Sequence, residues 1–529
     1  MKLLAAVTIK LALLTGICYA RLQAATATAK TSNDPNRVVR IAVLPAGAAH
    51  SKSRYPSCDA NSRLLAALAR QTAQTGSKRA DERFLYRTPP RSKTERFSAN
   101  TPPSPPSSRR EVDTSIVSVS RELYKSHPKP KVAVNVGRRY VGPNLGMEET
   151  MSWQAASDTP YRPRRRWSSD NGQTWCNVEP LPETVSHIGS ARIYWGVGPV
   201  AYDPISRKTV SVWLRQTQPG DGRACNHSFL RVSDDFGHTW GKPQLLRYEN
   251  GADFDPANLL HPGFLNNNQA YFPQNIAIRR DGALVVAGVS ARIPDSVPLS
   301  RINPGNVSGY FAPANSRNLG AVNFVARWNA GQARYDCKAS NVVWVPRHVS
   351  SRGLMEPSVV ELTDGRLLTI YRSSNQNITG HDHGRKRYTL STDGGETLGE
   401  PKELTYDDGT RFYSPSSIHQ LIRHSQTGTL YWIGNISPGP ANGNSPRYPL
   451  VIAEIDEVNV GLKKDTVTMI DTRRSGESSR LQLSNFTVLE NRRTHQFEIM
   501  LTRLGADPDD FWGSDAYRYT LSFLQKERP

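Results

Sequence analysis

The 529-residue sequence has few cysteines, and after its first twenty residues it has no long apolar run. The spacing of the five cysteines matches no zinc-binding pattern. No later stretch approaches the roughly 20 apolar residues that a membrane-spanning helix needs. Beyond residue 141 the apolar residues also lack the 3.6-residue period of amphipathic helices. These absences exclude a zinc-ribbon, a membrane-spanning or a mainly helical protein, and the sequence predicts neither metal nor cofactor.

Residues 1–20 have the features of a signal peptide. Lys2 supplies the positive start, Leu3–Ile17 are largely apolar, and Cys18-Tyr19-Ala20 ends in a small residue. A lipid anchor at Cys18 is the alternative, which the sequence disfavours because the small residue that should precede a lipoprotein cysteine is missing. The sequence therefore predicts a secreted or periplasmic protein.

Acidic residues are scarce in one part of the chain only. The formal net charge is +20, but residues 21–140 hold 23 Lys and Arg against 8 Asp and Glu, a net charge of +15. Residues 141–529 hold 42 against 39, a net charge of +3. A basic surface that binds nucleic acid needs its charge on the folded part, so no nucleic-acid partner is expected.

The basic excess lies mainly in residues 46–128, which are rich in Ser, Pro and Arg and predict a disordered segment. Three alternatives stay open for it: a basic tether to an anionic surface, a solvated linker, or translated sequence unrelated to the fold. Before it, residues 21–45 include the apolar stretch Val38–Leu44. This stretch is a candidate closing strand for a ring, paired with Tyr517–Leu524 at the other end of the chain.

From residue 141 onward, short apolar runs alternate with Asp-Gly, Asn-Gly and Pro turns, the pattern of an all-β chain. Five runs recur at roughly 65 to 85 residues, close to the length of one four-stranded propeller blade with long loops. They are Val210–Leu214, Ala283–Val289, Arg366–Tyr371, Thr429–Ile433 and Gln496–Leu501.

The motif S-x-D-x-G-x-T-W occurs at Ser168–Trp175 and Ser233–Trp240, and a third copy, Ser391–Leu398, has Leu in place of Trp. It suits a hairpin, because Asp accepts hydrogen bonds from its own turn, Gly adopts a positive φ and the aromatic ring covers the turn. We therefore predict structural roles for Asp170, Gly172, Trp175, Asp235, Gly237, Trp240, Asp393 and Gly395. A calcium loop is disfavoured because the other EF-hand ligands are missing.

This motif resembles the Asp-box, or BNR repeat, of sialidases and other secreted propellers, over about Arg164–Arg528. The resemblance implies a sialidase-like, six-bladed β-propeller over residues 141–529. It implies no activity by itself, because unrelated activities use Asp-boxes.

The stretch Met355–Arg372 resembles the sialidase sequence in which a glutamate opens one strand, an Asp-Gly turn follows, and an arginine ends the next strand. A hairpin of this kind places Glu356 and Arg372 side by side at one mouth of the propeller. The resemblance implies that Arg372 binds the carboxylate of a sialic acid through its planar guanidinium. Glu356 would then take the proton from a tyrosine nucleophile. The alternative is a structural ion pair at a hairpin end.

Tyr413 is the candidate nucleophile, since its context resembles a Tyr-Ser segment of sialidases, and a tyrosine packed at a blade edge is the alternative. Asp158, ten residues before the first Asp-box, is the candidate general acid. Pro160 and Pro163 are expected to interrupt the strand between Asp158 and that motif.

The sequence departs from the family in its first arginine, which normally lies in an Arg-Ile-Pro motif on the first blade. Arg292-Ile293-Pro294 has these letters but follows a strand, so the match is interpreted as accidental. Arg279, Arg411 and Arg447 are the other candidates.

We expect a secreted exo-sialidase-like glycoside hydrolase whose partner is a sialic acid or another acidic glycan. The alternatives are a non-catalytic carbohydrate-binding or adhesion propeller and another Asp-box enzyme, such as a polysaccharide lyase or a hydrolase with paired carboxylates. The oligomeric state is not predicted.

Overall fold

A computed structural model describes residues 115–157, 160–181, 185–220, 224–249, 255–271, 273–290, 319–346, 348–375 and 384–524, and the backbone of Glu95–Phe97. The predictions for residues 1–20 and 21–45, for Asp158 and for Arg292–Pro294 lie outside these residues. No helix of the described part is long and apolar enough to cross a membrane.

The described chain forms six antiparallel sheets, which are the blades of a six-bladed β-propeller. Two strands, β1 (Glu95–Phe97) and β2 (Val117–Lys125), come first in the chain and belong to the last blade. Blade 1 then contains β3 (Ala133–Tyr140), β4 (Met147–Gln154), β5 (Pro160–Ser168) and β6 (Glu179–Pro180). Blade 2 contains β7 (Val185–Ile188), β8 (Ala191–Asp203), β9 (Lys208–Gln218), β10 (Cys225–Ser233) and β11 (Gln244–Leu245).

A short helix, α1 (Pro262–Asn266), leads from blade 2 to blade 3. Blade 3 contains β12 (Ala270–Tyr271), β13 (Ala277–Ile278), β14 (Leu284–Ser290), β15 (Gly320–Asn329) and β16 (Arg334–Ala339). Blade 4 contains β17 (Met355–Glu361), β18 (Leu367–Arg372), β19 (Lys386–Ser391) and β20 (Lys402–Glu403).

Blade 5 contains β21 (Gln420–Arg423), β22 (Leu430–Asn435), β23 (Leu450–Asp456), β24 (Gly461–Leu462), a 3-10 helix (Lys464–Thr466) and β25 (Thr468–Asp471). Blade 6 contains β26 (Thr487–Glu490), β27 (Phe497–Thr502) and β28 (Ala516–Phe523), followed outward by β2 and β1.

The ring is closed in blade 6, where β28 from the end of the chain pairs with β2 along its whole length. The terminal stretch Tyr517–Leu524 is therefore a closing strand, as predicted, and Val117–Lys125 pairs with it; the predicted partner, Val38–Leu44, lies outside the described residues. Because β2 lies within residues 46–128, the prediction of disorder is wrong for the end of that segment. The propeller likewise begins at β2 rather than at residue 141.

The five predicted strand runs lie, to within one residue, in strands in the interior of their sheets, namely β9, β14, β18, β22 and β27. In β14, β18 and β22 every residue is buried. A strand covered on both faces has no reason to alternate polar and apolar residues, so it appears as a continuous apolar run. This is why these strands are the ones that the sequence reveals.

Apolar clusters fill five of the six interfaces between neighbouring blades. The largest join blades 5 and 6, blades 4 and 5, and blades 2 and 3. Smaller clusters join blades 3 and 4 and blades 6 and 1. Among the described residues no such cluster joins blade 1 to blade 2.

Strand β5 differs from the prediction that prolines would interrupt it. It runs from Pro160 to Ser168, and its pairing with β4 shifts between Met151 and Trp153. Arg162 lies in this irregular region with a φ of 50°. The extra residue of a β-bulge needs no ladder hydrogen bond, so a bulge next to Pro163 allows the strand to continue.

Candidate functional site

Glu356 is the second residue of the innermost strand of blade 4, and its backbone is strained. Its φ is 42°, in the left-handed region that residues other than glycine rarely occupy. The register of β17 against β18 shifts between Met355 and Ser358, so Glu356 and Pro357 form a bulge. Such a conformation costs about 1–3 kcal/mol and is found most often at functional sites. The Glu356 side chain is 21% exposed, so it is accessible from solvent.

Arg372 ends β18 and holds Glu356 in place, as the hairpin pattern predicts. Its Nη1 donates to Glu356 Oε2 at 2.5 Å. Its Nε donates to Ser416 Oγ at 2.9 Å, and its Nη2 donates to Asn444 Oδ1 at 3.2 Å. Three acceptors from three segments therefore orient this buried guanidinium. The hydroxyl of Ser416 and the side-chain amide of Asn444 are uncharged. Glu356 is therefore the only carboxylate among the three acceptors.

Arg447 is the second arginine of the site, and the structure distinguishes it from the other two candidates. Its Nη2 donates to the backbone oxygen of Ser416 at 3.1 Å, and its Nη1 donates to Gln482 Oε1 at 2.7 Å. Arg279 instead donates to Gly394 O, in the third copy of the S-x-D-x-G-x-T motif. Arg411 pairs with Glu403 on the surface. Ser416 thus touches both arginines of the site, through its hydroxyl and its carbonyl.

The positive charge around Glu356 exceeds its own negative charge. Burial alone would raise the pKa of the Glu356 carboxyl, but Arg372, and then Arg447 and Arg352, outweigh burial and lower the pKa below its usual range. Glu356 is therefore ionised at neutral pH. Several arginines beside a single carboxylate leave a local excess of positive charge, which suits an anionic ligand.

A buried lysine supports the segment that holds the two arginines. Lys386 is fully buried, and its Nζ donates to the carbonyl oxygens of Pro415 and Ser417, on either side of Ser416. Burial lowers the pKa of Lys386 well below its usual value, Arg372 and Arg447 lower it further, and Glu356 acts in the opposite direction. Neither Lys386 nor Ser416 has a sequence motif that would have marked it.

Tyr413 forms no hydrogen bond with Glu356 among the described residues. The Arg385 guanidinium lies over the Tyr413 ring, 4.4 Å from its centroid, and the Tyr413 backbone pairs with Ser437. Both Tyr413 and Glu356 are described residues, and no hydrogen bond joins the Tyr413 hydroxyl to the Glu356 carboxylate. The hairpin brings Glu356 and Arg372 together, whereas the predicted nucleophile is held in another contact. Asp158, the predicted acid, lies outside the described residues.

The three copies of the S-x-D-x-G-x-T motif lie at the opposite end of their blades from this site. Arg372 ends β18 and pairs with Lys386, where the third strand of blade 4 begins. The third copy starts at Ser391, where that strand ends. The first two copies likewise begin at Ser168 and Ser233, the last residues of β5 and β10.

Each copy is stabilised by the same hydrogen bonds within its turn. In the first, Asp170 accepts from the Thr174 hydroxyl at 2.6 Å, and the Gly172 N–H donates to Ser168 Oγ at 2.8 Å. Asp235 and Asp393 have equivalent partners. Gly172, Gly237 and Gly395 all have positive φ values of 77° to 98°.

The aromatic cover of the turn is also visible in the first two copies, where Trp175 and Trp240 lie against the glycines Gly172 and Gly237. In the third copy Leu398 is buried instead, with 3% of its surface exposed. Among the described residues no group of three or more His, Cys, Asp or Glu side chains is arranged to hold a metal ion.

No protein-family model matches the chain, and no curated protein matches it. Solved structures do resemble it. A protein of unknown function from Dyadobacter fermentans is 12% identical over 76% of this chain and 99% of its own, with a TM-score of 0.46. Trypanosoma rangeli sialidase is 13% identical over 76% of this chain and 59% of its own, with a TM-score of 0.44.

Penicillium chrysogenum alpha-L-arabinanase is 14% identical over 76% of this chain and 97% of its own, with a TM-score of 0.42. At such identities the likeness concerns the fold alone. The structural neighbours include sialidases and an arabinanase, while the six-bladed propeller itself follows from the strand order of this chain.

Proposed function

We propose that the protein is an exo-sialidase-like glycoside hydrolase that acts on sialic acid or another acidic sugar at the site formed by Glu356, Arg372 and Arg447. The observation that carries this proposal is the geometry of Glu356. A strained, solvent-accessible carboxylate is held against a buried arginine at a blade end, and a second arginine lies beside it. A purely structural ion pair would not need a strained backbone.

Each residue has a task that follows from its charge. The arginines bind the carboxylate of the sugar, because a guanidinium stays protonated and pairs with a carboxylate through two hydrogen bonds. Glu356 is ionised, since its pKa is lowered, so it serves as a base and not as the acid that protonates the leaving group. The acid must come from another residue, and Asp158 remains the prediction for it.

Tyr413 remains the predicted nucleophile, although no hydrogen bond joins it to Glu356 in the structure. The sialidase mechanism uses a tyrosine because a carboxylate nucleophile would be repelled by the acidic sugar. If Tyr413 has this role, Tyr413→Phe abolishes turnover and leaves binding of the sugar intact. Full activity of this variant would remove Tyr413 from the mechanism.

The test of the function is the release of 4-methylumbelliferone from its sialic acid glycoside by the full chain. We expect turnover by the parent protein, and its loss in Glu356→Gln and Arg372→Ala. Arg411→Ala is the matched control, because Arg411 pairs with Glu403 on the surface. Binding of 3′-sialyllactose is measured in parallel by calorimetry.

The paired measurements separate the alternatives. Binding that depends on Arg372 without any turnover would favour a carbohydrate-binding propeller, a function that the absence of a hydrogen bond between the Tyr413 hydroxyl and Glu356 would suit. Neither turnover nor binding by a folded parent protein would overturn the proposal for sialic acid.

Export of the protein is part of the proposal. Cys176 is disulfide-bonded, and structural disulfides persist in oxidising compartments. Cys225 and Cys337 are free thiols. Mass spectrometry of the natural protein should therefore find Cys176 oxidised and residues 1–20 removed, and a reduced Cys176 would count against export.

A further inference from the structure

The interface between blades 1 and 2 contains a cavity where the other interfaces have apolar clusters. The cavity has a volume of about 760 Å³ and is lined by β3, β4 and β5 on one side and by β8, β9 and β10 on the other. We call it the blade 1–blade 2 cleft. Its volume lies within the roughly 300–1,000 Å³ that is usual for pockets that bind small ligands.

Aromatic rings line the blade 2 side of the cleft. Trp195, Trp213 and Trp240 lie in succession, with ring centroids 6.3 Å and 6.0 Å apart, and Tyr194 lies next to them. All four are only partly buried, although aromatic rings of this size are expected to be buried in a closely packed core. Arg231 covers one face of Trp213 and Arg215 lies near Trp195, so the parts of the rings that remain exposed are the apolar surface of the cavity.

Polar side chains line the blade 1 side. Thr150, Ser152 and Gln154 follow one another on the same face of β4, and Asn135 lies beside them on β3. Hydroxyl and amide groups opposite aromatic rings match the two kinds of surface of a sugar, which has an apolar face of C–H bonds and a rim of hydroxyl groups. Asn135 donates to Gln154 Oε1 at 3.0 Å, and Thr150 donates to the backbone oxygen of Gly137, so these groups form a hydrogen-bonded polar wall whose oxygens can still accept from a sugar hydroxyl.

The charges of the cleft do not balance. Arg139 pairs with Glu148 at 2.6 Å, and Arg165 pairs with Glu179 at 2.7 Å. Arg231 lies over the Trp213 ring at 4.3 Å and donates to the backbone oxygens of Trp240 and Gly241. No carboxylate of the described residues pairs with Arg231, so the cleft has one surplus positive charge.

We propose that the blade 1–blade 2 cleft is a second carbohydrate-binding site, which binds an oligosaccharide with a carboxylate group. The sugar rings pack on Trp195, Trp213 and Trp240, and Arg231 faces the carboxylate. The cleft is formed mainly by blades 1 and 2, and Asn485 and Thr487 of blade 6 also line it. Glu356, Arg372 and Arg447 belong to blades 4 and 5 and are not among the lining residues, although Arg447 donates to Ser484, next to Asn485. The proposal therefore stands whether or not the protein hydrolyses a glycan.

The test measures binding to an array of immobilised oligosaccharides that carry sialic acid or uronic acids, together with their neutral counterparts. The full chain is used with Glu356→Gln, so that turnover does not consume the ligand. Trp213→Ala is expected to weaken binding of the acidic oligosaccharides about tenfold or more, as for an anchoring aromatic residue. Trp328→Ala is the matched control, because Trp328 is a half-buried tryptophan on β15, outside the cleft.

Two further variants keep the result interpretable if Trp213→Ala does not fold. Trp213→Phe retains a ring and should retain part of the binding. Arg231→Gln retains most of the packing, and it should weaken binding of acidic oligosaccharides more than of neutral ones.

The proposal is overturned if no oligosaccharide binds above background, or if binding is unchanged in both Trp213→Ala and Arg231→Gln. Binding that is lost only in Arg372→Ala would also overturn it, since all binding would then belong to the other site. Binding that survives Arg372→Ala but not Trp213→Ala supports the cleft, whether or not the protein hydrolyses any glycan.

Discussion

The interface between blades 4 and 5 and the blade 1–blade 2 cleft occupy equivalent places in the propeller, but they are packed differently. The first is filled by a large apolar cluster in which Leu368, Ile370 and Trp432 are fully buried. The second holds ion pairs, half-buried tryptophans and a cavity of about 760 Å³.

The difference shows how one fold supplies two kinds of site. Close packing between blades 4 and 5 holds Ser416 and Arg372 in fixed positions, so the strained Glu356 is compensated by surrounding contacts. Loose packing between blades 1 and 2 leaves space for a ligand at the expense of stability. The first arrangement suits precise chemistry and the second suits binding.

The largest expected effect tests the packing difference directly. Trp432→Ala should lower the free energy of unfolding by about 3–5 kcal/mol, because it opens a cavity in a closed core. Trp213→Ala should lower it by no more than about 1 kcal/mol, since Trp213 already borders open space. Guanidinium denaturation followed by circular dichroism measures both, and equal losses would show that the cleft is as closely packed as the other interface.

The second effect concerns the polar layer at the end of the blade 4–blade 5 interface. Ser416→Ala removes the hydrogen bond to Arg372 Nε, and a hydrogen bond to a charged group contributes about 1.5–3 kcal/mol. Binding of the acidic ligand, or kcat/KM if the protein hydrolyses it, should therefore fall by about tenfold or more.

Two variants control this measurement. Ser417→Ala changes the neighbouring buried serine, whose hydroxyl faces Pro415 O and not an arginine. Ser416→Thr keeps the hydroxyl and should restore part of the function. An equal loss in Ser417→Ala would mean that the segment is merely destabilised, and that Ser416 has no specific role in orienting Arg372.

The sequence predicts well those features that depend on residues close together in the chain. Leu367–Arg372 stands out because a strand buried on both faces is continuously apolar, and the S-x-D-x-G-x-T turns stand out because each is stabilised within eight residues. The contact between Glu356 and Arg372 was also predictable, since the turn at Asp364-Gly365 makes a hairpin that brings them together.

The rest of the site depends on packing between distant segments. Arg447 and Ser416 join Arg372 only because blade 5 packs against blade 4, and no local pattern reports such packing. Tyr413 stays a prediction from its sequence context, and the structure adds that the Arg385 guanidinium lies over its ring. The partner of the closing strand was missed because β2 adjoins a long basic segment that hides its apolar pattern.

The third effect is on the pH dependence of folding stability, to which two histidines, His419 and His238, should contribute unequally. Burial, and to a smaller extent Lys386, lowers the pKa of His419 well below its usual value. Burial also lowers the pKa of His238, which lines the cleft, although the nearby Asp235 acts in the opposite direction. Both are therefore neutral in the folded state, while the unfolded chain takes up protons below about pH 6.5. Folding stability from these groups is present above that pH and is lost as the pH falls.

Because His419 is fully buried, His419→Gln should reduce the loss of unfolding free energy between pH 7 and pH 5 by roughly 1–2 kcal/mol. His238→Gln should reduce it less, because His238 is only partly buried. Denaturation curves at both pH values measure this. An equal change in the two variants would show that burial does not distinguish the two positions.

The smallest effect belongs to the ion pairs of the cleft. Arg165 and Glu179 are 13% and 30% exposed, and Arg165 lines the cavity of the cleft. A double-mutant cycle with Arg165→Gln and Glu179→Gln should therefore give a coupling of only about 0.2–1 kcal/mol. The coupling should nearly vanish in 1 M NaCl, where the Debye length is about 3 Å. Glu356 and Arg372, at 21% and 9%, should retain more of their coupling in the same salt, because the Arg372 side chain is buried. If the coupling between Arg165 and Glu179 instead proves as resistant to salt as that between Glu356 and Arg372, the blade 1–blade 2 interface is closed to water. That result would contradict both the difference in packing between the two interfaces and an open binding cleft.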